Sequence, residues 1–116
     1  MDFKPNIEKN KTPKDKLELL AFSLGFVETD EMKKIRSSFI FENGVEKDLD
    51  NFIKWQTLAE KEILAITGQL DYQKAQIGLY VFIAKLYKQY NNIQMYNDTL
   101  NDIDMYAKNI DLDINI

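Results

Sequence analysis

The sequence predicts a mostly all-α domain of four to five helices around a long central helical hairpin. Its 116 residues, 45% of them apolar, suffice for one globular domain with a single core. Apolar residues recur at helical spacing over two long stretches, residues 46–67 and 71–90. A glycine, Gly68, lies between these stretches, which therefore predict two consecutive helices.

The N-terminal part predicts a polar arm followed by a first helix. Residues 1–11 are predicted to form a flexible arm, and the helical domain then extends over residues 12–108. Thr12 can cap the first helix, Pro13 fits its first position, and Asp15 has the spacing of a capping box. The helix is expected to reach about residue 24. Its apolar ridge consists of Leu17, Leu20, Ala21 and Leu24.

Turn signals follow the first helix. Gly25 suits the left-handed residue that ends a helix, and we expect Phe26 and Val27 to pack under that end. Thr29 can cap a short second helix that extends to residue 36. The Asn-Gly pair at 43–44 predicts a turn after the extended-favouring Phe-Ile-Phe at 39–41, so residues 38–45 form either a small hairpin or a loop.

The third and fourth helices form the predicted hairpin. The third ends before Gly68, and the fourth is expected to begin with Asp71 as its cap. The third helix has Trp55 at the edge of an apolar face made of Leu49, Phe52, Ala59, Ile63 and Ile66. The fourth helix has one apolar face made of Tyr72, Ala75, Leu79, Phe82, Ile83, Leu86 and Tyr90.

The fourth helix also has a second apolar face, on which Ile77, Val81 and Ala84 lie. A helix that is apolar almost all round is usually central in its fold. Either the first or fifth helix covers this second face, or another protein does. The latter predicts a subunit interface made of Ile77, Tyr80, Val81, Ala84 and Tyr87.

In the C-terminal region the spacing of the apolar residues changes from helical to alternating. A weaker fifth helix after residue 92 uses Met95, Leu100, Ile103 and Tyr106. Residues 109–116 then alternate strictly between polar and apolar, which is typical of a strand. This segment pairs with residues 39–41, adds to the sheet of another protein, or is disordered. We predict an extended segment that contacts a partner through Ile110, Leu112, Ile114 and Ile116.

The net charge of −4 comes from residues 97–116, where five aspartates accompany one lysine. This predicts an acidic surface made of Asp98, Asp102, Asp104, Asp111 and Asp113. Such a surface repels phosphate and attracts a basic protein, although it is also typical of a solvated terminus. The single arginine, Arg36, argues against sequence-specific binding of nucleic acid.

Composition argues against catalysis. With no cysteine and no histidine, thiol catalysis, a Ser-His-Asp triad and the common zinc sites are excluded. The paired aspartates lack the glycine and glutamate of a calcium loop, and the glycines form no phosphate loop. We therefore expect no enzyme activity, no metal and no cofactor. The longest apolar run, residues 77–84, is too short for a membrane span of ~20 residues, and a cytosolic protein without a signal peptide is expected.

Residues 46–96 resemble the small helical head–tail connector (adaptor) proteins of tailed bacteriophages and prophages. The resemblance depends on Asp-Leu-Asp-Asn-Phe-Ile at 48–53, on a helix ending in Ala-Glu-Lys-Glu-Ile-Leu-Ala-Ile-Thr-Gly at 59–68, and on the very apolar helix over 75–87. It implies a non-catalytic role in the virion after synthesis in the bacterial cytoplasm. Copies would form a cyclic ring under the portal protein and dock a tail-completion protein. Residues 1–45 would be an addition to the family pattern.

A different class of function also fits the sequence. A small acidic helical inhibitor or regulator could bind one host protein, as anti-defence and immunity proteins do. Residues 98–113 would then imitate nucleic acid against a basic groove. A connector predicts self-association into a ring or a place in a particle. An inhibitor predicts a monomer or dimer with one tight partner.

Overall fold

The computed structural model describes residues 15–42, 45–47 and 49–116, and it is mostly helical, which confirms the all-α prediction. The elements of this part of the chain are α1 (Lys16–Ser23), α2 (Asp30–Arg36), β1 (Phe41–Glu42), β2 (Val45–Glu46), α3 (Leu49–Leu64), α4 (Gln69–Gln89) and α5 (Ile93–Asn109). The predicted arm, Thr12, Pro13 and the turn at 43–44 lie outside the described residues. The predicted start of the first helix is wrong, because Asp15 is itself the N-cap of α1 and its side chain accepts a hydrogen bond from the Leu17 amide at 2.7 Å.

Helix α4 is the centre of the fold. Helices α1, α3 and α5 all pack against it, and α2 packs on α3. Gly78 lets α1 approach closely, because a Cβ atom there would lie 2.8 Å from the carbonyl oxygen of Ala21. The two apolar faces of α4 are therefore both covered by helices of the same chain.

Three helices end in the same hydrogen-bonded motif, in which a left-handed residue follows the last turn. Gly25 has φ 104° after α1, as its position in the sequence predicts, and Phe26 is buried beneath that end. Asn91 and Asp111 take the same role after α4 and α5, with φ 65° and 52°. In the last case the Leu112 amide donates to the Ala107 carbonyl at 2.8 Å. Asn and Asp tolerate this conformation better than most side chains do.

Several predicted boundaries are wrong in detail. Helix α3 covers Leu49–Leu64 rather than residues 46–67. Gly68 is the N-cap of α4, and Asp71 lies in the first turn instead of capping the helix. Val27 was expected to pack under α1 but is 54% exposed. The Thr29 cap of α2 is confirmed, since its side chain accepts a hydrogen bond from the Met32 amide.

The core-facing side of α3 also differs from the predicted one. Trp55 was placed at the edge of the apolar face, yet it is fully buried, whereas Leu49 is 61% exposed. The helix turns Trp55, Ala59 and Ile63 inward, at a spacing of four residues. The large indole ring thus decides which side of the helix faces the core, and Leu49 lies on another side.

Trp55 is the hub of an aromatic cluster. Its ring stacks on Phe82 at a centroid distance of 5.6 Å and meets Phe26 edge to face at 6.1 Å. Its indole N–H donates to the carboxylate of Glu28 at 2.8 Å. Arg36 donates to the same carboxylate through Nε at 2.6 Å and Nη2 at 2.9 Å. This hydrogen bonding raises the pKa of Arg36 and joins α2 to α3.

The pairing of β1 with β2 agrees with the small hairpin that was one of the two expectations for residues 38–45. Strands β1 and β2 are antiparallel, with Phe41 opposite Glu46 and Glu42 opposite Val45. The ring of Phe41 stacks on Tyr90 at 3.7 Å, so the hairpin lies against the C-terminal end of α4.

The C-terminal segment forms no strand within the described residues, so the alternative in which it pairs with residues 39–41 is wrong. The half-buried side chain of Ile110, before the turn at Asp111, and those of Leu112 and Ile114, after it, pack against the core. Ile116 is exposed. The turn after α5 directs the segment back along the helix, and its apolar side chains are thereby partly covered. Contact with a partner through this segment stays a prediction.

Within the described ranges, no helix is both long enough and apolar enough to cross a lipid bilayer.

Candidate protein-binding face

The predicted subunit interface is divided by the structure into a buried part and an accessible part. Ile77 is 2% exposed, and Val81 and Ala84 are fully buried inside the chain. These three residues are core, so the prediction that they contact another subunit is wrong. The other expectation holds, because helices of the same chain cover this face of α4. Tyr80 and Tyr87 are partly exposed and remain available for a partner.

Tyr80 lies on the accessible side of α4 next to Tyr106 of α5. The two rings are stacked at a centroid distance of 5.4 Å with 22° between their planes. Burial raises the pKa of the Tyr80 hydroxyl, and the neighbouring Tyr106, Asp102 and Glu60 raise it further. A tyrosine hydroxyl is protonated at neutral pH and can donate a hydrogen bond, and the raised pKa extends this to higher pH.

One cavity lies on each side of Tyr80. The first, of about 210 Å³, is between α4 and α5, and Tyr106 and Asn109 line it. The second, of about 200 Å³, is between α3 and α4, and Glu60 and Leu64 line it. Gln76 and Tyr80 border both cavities and form a ridge between them. We call this surface the open face and define it by Glu60, Leu64, Tyr72, Gln76, Tyr80 and Tyr106.

The apolar surface continues along α3. Leu49, Ile53 and Leu64 are all exposed, and Leu64 is 71% exposed. Leu49, Ile53, Glu60 and Leu64 follow one another at spacings of four, seven and four residues, which places all four side chains on one side of α3. The open face therefore adjoins a row of exposed aliphatic side chains. Single exposed apolar residues are ordinary, whereas an aligned row beside a groove indicates a contact surface.

The open face combines tyrosine rings with side chains that can donate and accept hydrogen bonds. Tyrosine combines a large apolar ring with a hydroxyl, and it is enriched among the residues that dominate binding energy. Gln73, Gln76 and Asn109 add polar groups that can donate and accept hydrogen bonds. In the part of the chain that the structure describes, no group of three acidic residues is arranged to hold a metal ion.

The predicted acidic surface is accessible. Each of its five members is exposed: Asp98, Asp102, Asp104, Asp111 and Asp113. Asp104 forms an ion pair with Lys108 at 2.9 Å, one helical turn away. Asp102 acts on the pKa of Tyr80, which connects the acidic surface to the open face.

Several open-face residues were not identified from the sequence. Tyr72 was assigned to the core, and Glu60, Leu64 and Gln76 were not selected as site residues. A signal existed in α3, because Leu49, Ile53 and Leu64 cannot lie on the same side as Trp55. Once Trp55 is placed in the core, these residues must lie outside it.

Comparisons of the chain with protein-family models, with curated proteins and with solved structures found no match.

Proposed function

We propose that this chain is a non-catalytic assembly protein that binds other proteins through the open face. The observation that carries the proposal is the ridge of Gln76 and Tyr80, which has a cavity on each side and the Tyr106 ring stacked beside it. Tyrosines that are partly exposed and held by a rigid helix lose little conformational entropy when a partner covers them.

The specific form that we propose is a head–tail connector in a phage particle. Its support is the resemblance over residues 46–96, a range that includes α3 and α4, the two helices beside the second cavity. Copies of the chain would form the ring under the portal protein and dock the tail-completion protein. In this form Tyr80 and Tyr87 contact a neighbour, whereas Ile77, Val81 and Ala84 support α4 from within.

Immunoblotting of density-purified phage particles induced from the source tests this proposal. We expect the chain at a constant ratio to the portal protein. The double variant Tyr80→Ala with Tyr106→Ala should fold, as checked by circular dichroism, but be lost from particles. Met105→Ala is the matched control, because Met105 is exposed on the same helix as Tyr106 and lines neither cavity. Abundant chain in the lysate and none in intact particles would contradict the connector.

The exposed aspartates favour a second candidate, the small acidic inhibitor or regulator. Five exposed carboxylates at residues 98–113, with Glu60 beside the ridge, would suit a basic groove on one host protein. Multi-angle light scattering of the purified chain separates the two candidates. A closed ring of many copies supports the connector, whereas a monomer or dimer that stays outside particles supports the inhibitor.

A further inference from the structure

The groove between α3 and α4 has the form of a helix-binding site. Helix α4 packs less extensively against α3 than against α1 or α5, so this side of the bundle is the more open one. The buried side chains of Ile63 and Leu79 form an apolar floor, and Leu64, Tyr72 and Tyr80 stand beside it. Two neighbouring helices with an apolar floor between them are the usual receptor for the apolar side of a third helix.

A strand is a less suitable occupant of this groove. The walls consist of the helices α3 and α4, whose backbone groups are already hydrogen-bonded within each helix. The described part of the chain has two strands of two residues each, and neither lines the groove. A bound segment must therefore satisfy its own backbone hydrogen bonds, as a helix does.

The charge around the groove is negative. Glu60 lines the groove on α3, and Asp102 lies one helical turn before Tyr106 on α5, whose ring stacks on Tyr80, so the two carboxylates belong to the helices on either side of α4. Among the described residues, neither lysine nor arginine lines either cavity of the open face. A partner with basic residues beside its apolar side is complementary to this arrangement.

A second copy of the chain is a poor occupant. In a two-fold contact the same patch meets itself, so Glu60 and Asp102 of one copy would approach the acidic groups of the other. Juxtaposed like charges oppose association. The charge pattern therefore argues against a two-fold dimer through this groove, and the occupant considered below is a different protein.

We propose that the groove between α3 and α4 binds a basic amphipathic helix of a partner protein. This inference rests on the proposed function, in which the open face is a docking surface. The apolar side of the helix covers Leu64 and Tyr80, and its lysine or arginine side chains approach Glu60 and Asp102. Because the charges are at the rim, binding weakens as salt rises.

A pair of model peptides tests the proposal on the full chain. The first is a helical peptide of about 18 residues, about 27 Å long, with leucines along one side and lysines elsewhere. The second has glutamate at every lysine position. Fluorescence anisotropy of the labelled peptides, at low and high salt, measures binding. We expect the lysine peptide to bind at least about tenfold more tightly than the glutamate peptide, with a smaller ratio at high salt.

Charge-reversal variants locate the binding. The double variant Glu60→Lys with Asp102→Lys should lose at least about tenfold in affinity for the lysine peptide. The matched control is Glu31→Lys with Glu62→Lys, which has the same net charge, exposed positions, and no place in the lining of the groove. Circular dichroism checks that both variants fold. Equal loss in the two double variants would overturn the proposal, because it would show attraction to the net charge alone.

The remaining outcomes separate this inference from the proposed function. Equal affinity for the lysine and glutamate peptides, abolished by Tyr80→Ala, would overturn the basic partner and leave the open face as a docking surface. A third outcome is that neither peptide binds, while the wild-type chain is present in particles and the double variant Tyr80→Ala with Tyr106→Ala is absent from them. This outcome would overturn the helical occupant and leave the proposed function standing. Absence from particles together with binding of the lysine peptide would contradict the connector and support this inference.

Discussion

The cluster around Trp55 and the open face around Tyr80 are both aromatic, yet only the first is closed. The Trp55 ring is fully buried against Phe26 and Phe82, and its N–H has a partner in Glu28. The Tyr80 ring stacks on the Tyr106 ring, and the ridge that Tyr80 forms with Gln76 has one cavity on each side. Each ring thus has an aromatic neighbour, and the two regions differ in that the chain encloses Trp55 completely but leaves Tyr80 partly exposed. Tyr80 lacks full coverage and is available to another protein.

The largest expected difference between the two regions is in stability. Trp55→Ala should lower the free energy of unfolding by ~3–5 kcal/mol, because it leaves a large cavity among the aromatic rings and removes a donor from Glu28. Tyr80→Ala should cost ~1 kcal/mol, since its ring is partly exposed and touches fewer groups. Urea unfolding followed by circular dichroism measures both. Equal losses would contradict the distinction between a closed and an open cluster.

The polar centre of the closed cluster should be nearly as sensitive. Glu28→Ala leaves the guanidinium of Arg36 and the indole N–H of Trp55 without their carboxylate, at a cost of ~2–4 kcal/mol. The side chain of Glu28 is 5% exposed, so water replaces the lost partner poorly. Glu31→Ala is the control, because Glu31 is exposed on α2 and its loss should cost less than ~0.5 kcal/mol. If Glu28→Ala also lowers the free energy of unfolding by less than ~0.5 kcal/mol, the hydrogen bonds of Glu28 to Trp55 and Arg36 contribute little to stability.

The approach of α1 to α4 should tolerate no added methyl group. In Gly78→Ala the new Cβ would lie 2.8 Å from the Ala21 carbonyl oxygen and 3.0 Å from Cβ of Phe26. Backbone must shift, so we expect a loss of ~1–3 kcal/mol, although alanine favours the helix by about 1 kcal/mol. Asn101→Ala, at an exposed position of α5, is the matched control and should change stability little. A stabilised Gly78→Ala would mean that α1 can move away without loss.

Helical periodicity was enough to predict the fold class and the central hairpin, because α3 and α4 are long and strongly patterned. Periodicity could not say which neighbour covers each side of α4, since coverage depends on contacts between residues far apart in sequence. Ile77 and Val81 were therefore assigned to a subunit interface, although α4 is covered by its own chain there. The carboxylate of Glu28 was missed for the same reason: its partner Trp55 is 27 residues away.

The site was less predictable than the fold. Tyr80 and Tyr87 were selected as members of a subunit interface and are partly exposed, whereas Ile77, Val81 and Ala84 of the same predicted face are core. The alternating C-terminal segment was interpreted as a strand, whereas Leu112 and Ile114 pack against the core of their own chain. A period of two shows that apolar residues share a side, and it cannot show whether a sheet or a helix covers that side.

The smallest expected effect is a pH dependence that belongs to the open face. Burial and nearby negative charge raise the pKa of Tyr80 above its ordinary value of about 10, because both disfavour the phenolate. The folded state thus prefers the neutral phenol. This contribution to stability is fully present below the pKa of the unfolded chain and is lost as pH rises through the folded pKa. Since Tyr80 is partly exposed and solvent screens it, the loss should be only a few tenths of a kcal/mol.

Tyr80→Phe isolates this effect, because the variant keeps the ring and removes the titrating hydroxyl. The difference in unfolding free energy between wild type and variant should be constant from about pH 7 to 9 and should shift in favour of the variant above about pH 10. Burial also raises the pKa of Tyr87, but Tyr87 is present in both proteins and cancels in the difference. A difference that stays flat to the highest pH at which both proteins fold would mean that Tyr80 is as well solvated as in the unfolded chain. In that case the ridge would project into water, and its hydroxyl would offer a partner no more than any surface tyrosine.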